Sequence, residues 1–443
     1  MDNKQKVAFY TLGCKLNFSE TSTISRLFNK ENYESVSFDS QADIVIINTC
    51  SVTAVADKKC RHIIRKAIKK SPHALVVVIG CYAQLKAQQI AKIDGVDIIL
   101  GNNEKLNLLE YIEKHEKQKT ANIHSCETNE INQIFPAYSI ADRTRSFLKI
   151  QDGCDYECSY CTIPLARGKS RNITIAKILM QAQEISQANV KEIVLTGVNI
   201  GDFGRTSGES FLELITKLDE LEGIERFRIS SIEPNLLTDE IIEFVGKSKK
   251  FVPHFHIPLQ AGSDTILKLM KRRYNTQLFS KRIEKINNTI KNVCIGVDVI
   301  VGFPSESELE FLETYNYLRD LNVSYLHVFS YSERENTSSI NLQGKVPNSE
   351  IQKRSKTLHN LSAVKKLNFY NQNLNTEKIV LFENHSSNDK VFGFTDNYIK
   401  VETNLAEKYK NQLVRFELQN IGKDGNVEGK IIERLKQKTI KLK

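Results

Sequence analysis

The chain has no long apolar run. Met1 to Lys6 is polar, and the first hydrophobic stretch, Val7 to Leu12, is too short for a signal peptide or a membrane span. A cytoplasmic protein without membrane contact is expected. Internal repeats and low-complexity tracts are also missing, which sets repeat architectures aside. A disulfide framework is excluded on similar grounds. Nine cysteines in 443 residues, in a reducing compartment, point instead to metal or redox use. What is present in excess is positive charge: 62 Lys and Arg against 53 Asp and Glu leave a formal +9, which favours a polyanionic partner. The length suits two to four domains with substantial cores.

The first hundred residues alternate short Val/Ile-rich runs with amphipathic stretches. Strands are expected at Val7–Leu12, Asp43–Asn48, Leu75–Ile79 and Asp97–Leu100, with helices near Ser19–Glu31, Ala54–Lys70, Gln84–Lys92 and Lys105–Lys117. Near-continuous apolar strands between helices indicate a parallel sheet covered on both faces. A polar connector follows, with a domain boundary near residue 140. A second strand–helix series has candidate strands at Phe147–Ile150, Glu192–Thr196, Phe227–Ser231, His254–Pro258, Gly296–Val301 and Tyr325–Tyr331. Six such units predict a partial (βα)6 barrel, with functional groups at the strand C-termini. After a charged helix near Asn348–Asn375 come short β segments at Lys378–Phe382, Lys390–Phe394, Tyr398–Glu402 and Gln412–Gln419, then a turn at Asn420–Gly425. They predict a small β-barrel. The class is α/β, in modules spanning 1–118, 140–371 and 372–437. The tail from Lys430 to Lys443 carries six positive charges against one negative and reads as a phosphate-backbone contact.

Two sets of three cysteines stand out. Cys154, Cys158 and Cys161 form C-x3-C-x2-C directly after the first strand of the second series. Three thiolates this close can ligate three irons of a [4Fe–4S] cluster. Such clusters normally take four cysteines, so the fourth iron would stay open to a substrate. Zinc would need a further Cys or His at short range, and His124 lies 30 residues upstream. The second set, Cys14, Cys50 and Cys81, falls just past three successive apolar strands. In open α/β sheets the ligand crevice lies outside the strand C-termini, so these residues should converge on one site and hold a second cluster. Cys60, Cys126 and Cys294 have no such placement and read as structural.

The barrel's later strand ends offer ligand groups. Gly197 and Asn199 follow the second strand, where glycine lets backbone approach a ligand. Ser231 and Glu233 end the third, with a carboxylate suited to ribose hydroxyls. Gln260 ends the fourth, and Gly302, in Gly-Phe-Pro, ends the fifth with a surface for adenine. His254 and His256 are expected to be core or hydrogen-bonded residues. Arg167, Lys169 and Arg171, just past the cysteine loop, could hold an anionic substrate such as a nucleic-acid phosphate.

Taken together, Thr11-Leu-Gly-Cys14-Lys-Leu-Asn17, Asn48-Thr-Cys50-Ser-Val52, Gly80-Cys81-Tyr82, the Cys154/Cys158/Cys161 loop, Pro164-x-x-Arg167-Gly168, Ser230-Ser231-Ile-Glu233-Pro234 and His256-Ile-Pro-Leu-Gln260 resemble the radical S-adenosylmethionine (SAM) methylthiotransferases, in their MtaB branch. The resemblance spans nearly the whole chain and implies an N-terminal three-cysteine domain, a radical-SAM barrel and a C-terminal TRAM barrel. It implies two [4Fe–4S] clusters and SAM as cofactors, with SAM on the open iron of the Cys154/Cys158/Cys161 cluster and the sulfur or methylthio group on the Cys14/Cys50/Cys81 cluster. The implied reaction is methylthiolation of C2 of N6-threonylcarbamoyladenosine at position 37 of tRNA, with a second SAM as methyl donor. An aromatic C–H calls for cofactor radical chemistry, and anticodon-loop bases can be splayed out and read. The implied partners are tRNA, a flavodoxin- or ferredoxin-like electron donor and a sulfur source. Leu165 departs from the pattern, since many relatives carry an aromatic residue there. Within the family the rival substrates are isopentenyladenosine in tRNA and an aspartate of a ribosomal protein. Outside it, the alternatives are a non-catalytic iron–sulfur or zinc-stabilised RNA-binding module.

Overall fold

The computed structural model describes residues 4–115, 120–140, 144–387, 390–404 and 407–435. Of the basic tail, residues 436–443 lie outside the described residues. The chain divides into two compact units. The first contains Met1–Ser139, Lys149–Ile173 and Ser332–Ile340, and the second contains Ile140–Leu148, Thr174–Tyr331 and Asn341–Lys443. Among the described residues no helix is long and apolar enough to cross a membrane.

The first unit is built on a six-stranded parallel sheet in the order β2-β1-β3-β4-β5-β6. Its elements are β1 (Gln5–Thr11), α1 (Lys15–Ser25), β2 (Tyr33–Val36), β3 (Ile44–Thr49), α2 (Ala54–Lys70), β4 (Leu75–Gly80), α3 (Cys81–Ala91), β5 (Ile98–Leu100), α4 (Leu108–Glu113) and β6 (Asn122–His124). Branched side chains fill the central strands, and β3 is buried at every position, as a sheet covered on both faces requires. Ile24 and Phe28 join Leu108 and Ile112 against one face, while Ile63, Ile64, Tyr82 and Ile90 cover the other. The strand order reverses between β1 and β3, which defines a topological switch point.

Several details differ from the expectation, among them α3, which starts three residues earlier, at Cys81. The edge strands β2 and β6 are short and carry no fully buried residue, so no apolar run announces them. Helix α1 starts four residues earlier than read. Its buried face includes Asn17, Ser19, Glu20, Thr21 and Ser22, a polar set that hides amphipathic periodicity. The helix expected at Lys105–Lys117 is a 3-10 turn, Glu104–Asn107, followed by α4; residues 116–119 lie outside the described residues.

Strand β7 (Arg145–Lys149) leads into the cysteine segment. The short strands β8 (Gln151–Asp152) and β9 (Arg171–Asn172) pair antiparallel around it and enclose α5 (Ile163–Arg167). The second unit then runs α6 (Ile175–Gln187), β10 (Glu192–Thr196), α7 (Phe211–Glu220), β11 (Arg226–Ile229), α8 (Asp239–Lys247), β12 (His254–Gln260), α9 (Asp264–Leu269), α10 (Thr276–Thr289), β13 (Cys294–Val301), α11 (Glu308–Asp320) and β14 (Tyr325–Ser330). Its sheets β11-β10-β7 and β12-β13-β14, with β10–β11, β12–β13 and β13–β14 parallel, are joined by a bridge between Ser231 and His256. The result is the expected partial (βα)6 barrel. Side chains of Thr238, Asn275 and Ser307 cap α8, α10 and α11, satisfying first-turn amides.

Helix α12 (Asn348–Asn373) leads to a closed barrel, β15 (Glu377–Ser387), β16 (Lys390–Thr395), β17 (Lys400–Thr403), β18 (Leu413–Ile421) and β19 (Val427–Arg434), in the order β15-β16-β17-β19-β18. The fifth strand corrects the basic-tail expectation: Lys430 and Arg434 belong to the strand that closes the barrel. Its exterior charges had masked the alternation.

The small barrel docks on polar residues of the larger one. Arg228 donates to Glu192 at 2.8 Å and lies 4.8 Å from the Tyr398 ring centroid. Arg226 bonds the carbonyl of Ile379. Burial raises the Glu192 pKa, but Arg228, Arg145 and Arg226 outweigh it and hold the group at about 2, below the ordinary 4.5. The depressed value means that Glu192 adds stability above pH 4.5, lost as pH falls toward 2. The contribution is about 3 kcal/mol. Acid titrations of unfolding for wild type and Glu192→Gln should therefore converge by about that amount between pH 5 and pH 2. Parallel curves would refute the assignment.

Candidate functional site

Cys14, Cys50 and Cys81 sit at the C-terminal ends of β1, β3 and β4, three neighbouring strands beside the switch point. Parallel neighbours lie about 4.8 Å apart, so residues 36 and 31 positions apart in sequence are brought together. Polar side chains pin the three loops. Asn17 donates to the carbonyls of Leu12 and Thr49, both at 2.9 Å. Asn48 donates to the carbonyl of Asn17 at 3.0 Å, and Thr49 donates to that of Ile79 at 2.6 Å. Gly13 has φ +103°, and a Cβ there would lie 2.6 Å from Cys50 Cβ and 2.9 Å from its sulfur. Only glycine permits this approach.

The thiols are crowded and partly desolvated. Burial, with Cys81 next, pushes Cys50 up to about 12. Cys14 keeps exposed surface, yet the protein around its thiol raises its pKa against the pull of Arg167. Such thiols become thiolates when a cationic metal centre compensates their charge. An all-sulfur donor set and a glycine-made cradle suit an iron–sulfur cluster. Cys60 is buried beside this set and donates its S–H to the carbonyl of Cys50 at 3.3 Å.

Cys154, Cys158 and Cys161 lie in the same compact unit, on the loop closed by β8 and β9. Gly153 has φ +70°. The amide of Cys154 donates to the carbonyl of Gly168 at 3.0 Å, and that of Cys161 to the carbonyl of Cys158 at 3.0 Å. The amide of Tyr156 donates to the Cys154 sulfur at 3.4 Å, a bond that stabilises a thiolate ligand. Among the described residues no three Cys, His, Asp or Glu side chains converge closely enough for a single ion. A cluster makes a different demand, because each thiolate takes its own iron. The donor set fits.

Residues next to the two cysteine sets are bonded to each other. Thr162, beside Cys161, donates to the carbonyl of Ser51, beside Cys50, at 3.3 Å. Arg334 donates to Asp57 at 2.8 Å and to Ser51 Oγ at 2.7 Å, and the amide of Ser339 donates to the carbonyl of Ser159 at 2.8 Å. The segment 332–340 thus straps the Cys50 loop and the Cys158 loop. Sequence reasoning missed Arg334, since a lone arginine in a loop carries no signal until its buried carboxylate partner is known.

The three cations proposed for substrate separate. Lys169 is exposed. Arg171 is half-buried and donates to the backbone carbonyls of Gln133, Arg167 and Lys169. Arg167 is a correction: it is 1% exposed, and its guanidinium is committed to Asp152, Glu20 and Asn17, so it cannot meet a substrate phosphate.

Gly197, Asn199, Ser231, Glu233, Gln260 and Gly302 all lie at strand ends of the second unit. Gln260 has φ +72° and sits at a register shift between β12 and β13, a strained bulge of the kind found at ligand sites. Glu233 is ion-paired with Arg272; burial raises its pKa, with Arg272 opposing. Gly302 is explained by packing, because a Cβ there would lie 2.4 Å from Ile351 of α12. His256 bonds Asp298 at 2.7 Å, and His254 bonds Tyr325 at 3.2 Å.

Comparison with known proteins adds a class and then a family. Residues 148–318 match the radical SAM superfamily, and residues 6–101 match the group described as uncharacterized protein family UPF0004. The fold resembles that of the radical SAM methyltransferase TsrM from Kitasatospora setae, with a TM-score of 0.56 at 11% identity over 74% of this chain and 73% of that one. It also resembles the cobalamin-dependent radical SAM enzyme OxsB, with a TM-score of 0.50 at 13% identity over 81% of this chain and 56% of that one. At these identities the likeness speaks for the fold alone. The sequence is 38% identical to the threonylcarbamoyladenosine tRNA methylthiotransferase MtaB of Bacillus subtilis, over 96% of both chains. It is 38% identical to that of Aquifex aeolicus, over 93% of this chain and 99% of the other. It is 32% identical to a tRNA-2-methylthio-N(6)-dimethylallyladenosine synthase of Clostridium tetani, over 99% and 96%. The chain belongs to the MtaB methylthiotransferase family.

Proposed function

We propose that the protein methylthiolates C2 of N6-threonylcarbamoyladenosine at position 37 of tRNA. The observation that carries this reading is the gathering of two separate three-cysteine sets into one compact unit, each with three thiols and no fourth cysteine ligand in its motif. Cys154, Cys158 and Cys161 would hold a cluster that, with SAM bound, would supply the radical chemistry needed at C2, while Cys14, Cys50 and Cys81 would hold the group supplying sulfur, with a second SAM supplying the methyl. The chain's own residues hold and orient these groups. The Gly153 turn aims the first cysteine loop, and Asn17 and Thr49 hold the second set. Gly197, Asn199, Ser231 and Gln260, at the barrel's strand ends, are the SAM contacts. The three modules read from the sequence as 1–118, 140–371 and 372–437 carry sulfur delivery, radical generation and tRNA binding in turn, the sheet of the first continuing to β6 at Asn122–His124 and its compact unit also taking in the cysteine loop within Lys149–Ile173. Lys169, Lys430 and Arg434 are available for phosphates. A flavodoxin- or ferredoxin-like protein supplies electrons, a separate source supplies sulfur, and the reaction is placed in the cytoplasm.

The threonylcarbamoyl substrate is favoured over the isopentenyl one because two relatives named for the former share 38% identity with the chain over nearly its whole length, although others so named, at 31–34%, are no more similar than a relative named for the latter at 32%. The test is mass spectrometry of tRNA nucleosides from cells lacking the protein, complemented with wild type or with Cys154→Ala. The methylthiolated threonylcarbamoyl nucleoside is expected with wild type only. If it is unchanged in all three strains while the isopentenyl product follows the gene, the substrate assignment is overturned.

A further inference from the structure

Arg167 lies at the centre of a buried ion cluster that the proposed reaction does not by itself explain. Glu20 accepts from Lys105 and Lys149, each at 2.8 Å, and from Arg167 at 3.1 Å. Asp152 accepts from Lys149 at 2.6 Å and from Arg167 at 2.9 Å. All five residues lie in the first compact unit and are buried. Three cations against two carboxylates leave one net positive charge. Burying such a set costs solvation that ion pairing only partly offsets, so packing alone gives no reason for it.

Its place in the fold gives one. On one side, Arg167 NH2 donates to Asn17 Oδ1 at 2.7 Å, the same oxygen that Cys14 Sγ faces at 3.8 Å. Asn17 in turn holds the loops that precede Cys14 and Cys50. On the other side, Arg167 NH1 donates to both Asp152 oxygens, at 2.9 and 3.1 Å. Asp152 Oδ1 accepts from the amide of Gly153 at 2.8 Å, one residue before Cys154. The guanidinium is therefore one bonded residue away from each cysteine set. Its planar fork can serve both sides at once, which an ammonium cannot.

We propose that Arg167 is a positioning residue that registers the Cys14/Cys50/Cys81 site against the Cys154 loop and fixes a positive charge beside the former. The inference rests on the reading of Cys14, Cys50 and Cys81 as cluster ligands. A permanent positive charge near a cluster favours its reduced, more negative state and so raises its potential, since net charge and outer contacts tune such centres. Burial keeps that charge from being screened.

The test uses the full chain, reconstituted anaerobically with iron and sulfide. In a Cys154→Ala background the N-terminal cluster is observed alone, and its potential is read by EPR-monitored redox titration. Adding Arg167→Gln should lower the reduced-to-oxidised ratio at fixed potential tenfold, a shift of 59 mV to more negative values for one electron. Arg167→Lys should keep the ratio within threefold of its parent. With Cys154 intact, Arg167→Lys should instead release at least fivefold more 5′-deoxyadenosine per methylthio product, because the charge is kept and the register lost. An unchanged potential in the loaded Arg167→Gln protein overturns the charge role. If Arg167→Gln does not fold, Arg167→Lys decides alone: wild-type coupling in it overturns the positioning role. A Cys154→Ala protein that binds no iron would show that the N-terminal cysteines hold no cluster, and the functional reading would fall first.

Discussion

Glu20→Ala is expected to cost about 3–5 kcal/mol, which can be most of a protein's folding stability. Glu20 is 0% exposed and is the shared acceptor of Lys105, Lys149 and Arg167. Burial works to raise its pKa, but Arg167 first, then Lys105 and Lys149, hold the carboxyl well below its usual range. Alanine leaves three buried cations with Asp152 as their one carboxylate within this cluster. The penalty is the uncompensated charge more than the lost pairs. Scanning calorimetry of the purified protein should show a large drop in melting temperature of the transition, or no soluble protein at all. Glu20→Gln, which keeps the volume and two hydrogen-bonding groups, should lie between the two. A Glu20→Ala protein that melts with wild type would mean that water reaches the cluster.

Gly153→Ala is the second large effect, and it acts on function. The residue precedes Cys154 with φ +70°, and a Cβ there would lie 2.0 Å from the carbonyl oxygen of Lys169. That atom is backbone two residues before β9, next to the Gly168 carbonyl that accepts from the amide of Cys154 at 3.0 Å, so it cannot swing aside as a side chain would. The left-handed conformation costs an alanine about 1–2 kcal/mol, and the overlap adds about 1–3 kcal/mol. The loop should reshape and lose its grip on one cluster. Iron and sulfide per chain should fall by one cluster's share after anaerobic purification, with no methylthiolated nucleoside formed. Gly208→Ala is the control: φ is +75°, but nothing lies within 4 Å of the added carbon, so only the backbone cost remains and the iron content should hold. Full iron and normal product in Gly153→Ala would show that the loop tolerates another path.

How much of the site could be read beforehand follows from the reach of each signal. The C-x3-C-x2-C loop is local, so spacing alone exposes it. Cys14, Cys50 and Cys81 are far apart, yet each follows an apolar strand, and parallel α/β topology brings such ends together. The burial of Arg167 is not legible in the sequence, because a cation near a cluster loop looks the same whether it faces solvent or a buried carboxylate. Glu20 gave no sign either, since it lies in a helix rich in Ser, Thr and Asn whose periodicity is weak. Gly302 looked like a ligand contact, and only the approach of Ile351 revealed a packing reason.

The sequence by itself determined the class of fold, through strand and helix periodicities that are properties of neighbouring residues. It also determined the candidate ligands, because sulfur chemistry depends on residue type and local spacing. Tertiary structure decided which charges are buried together and which residues stand between the two cysteine sets. It assigned Arg167 to an internal ion cluster, brought Arg334 to Ser51 and Asp57, and turned a basic tail segment into the closing strand of a barrel. These outcomes depend on contacts between residues up to hundreds of positions apart, as the 283 between Arg334 and Ser51 illustrate. The energy of a buried charge is set by the partner it meets across that distance, and no local pattern specifies the partner.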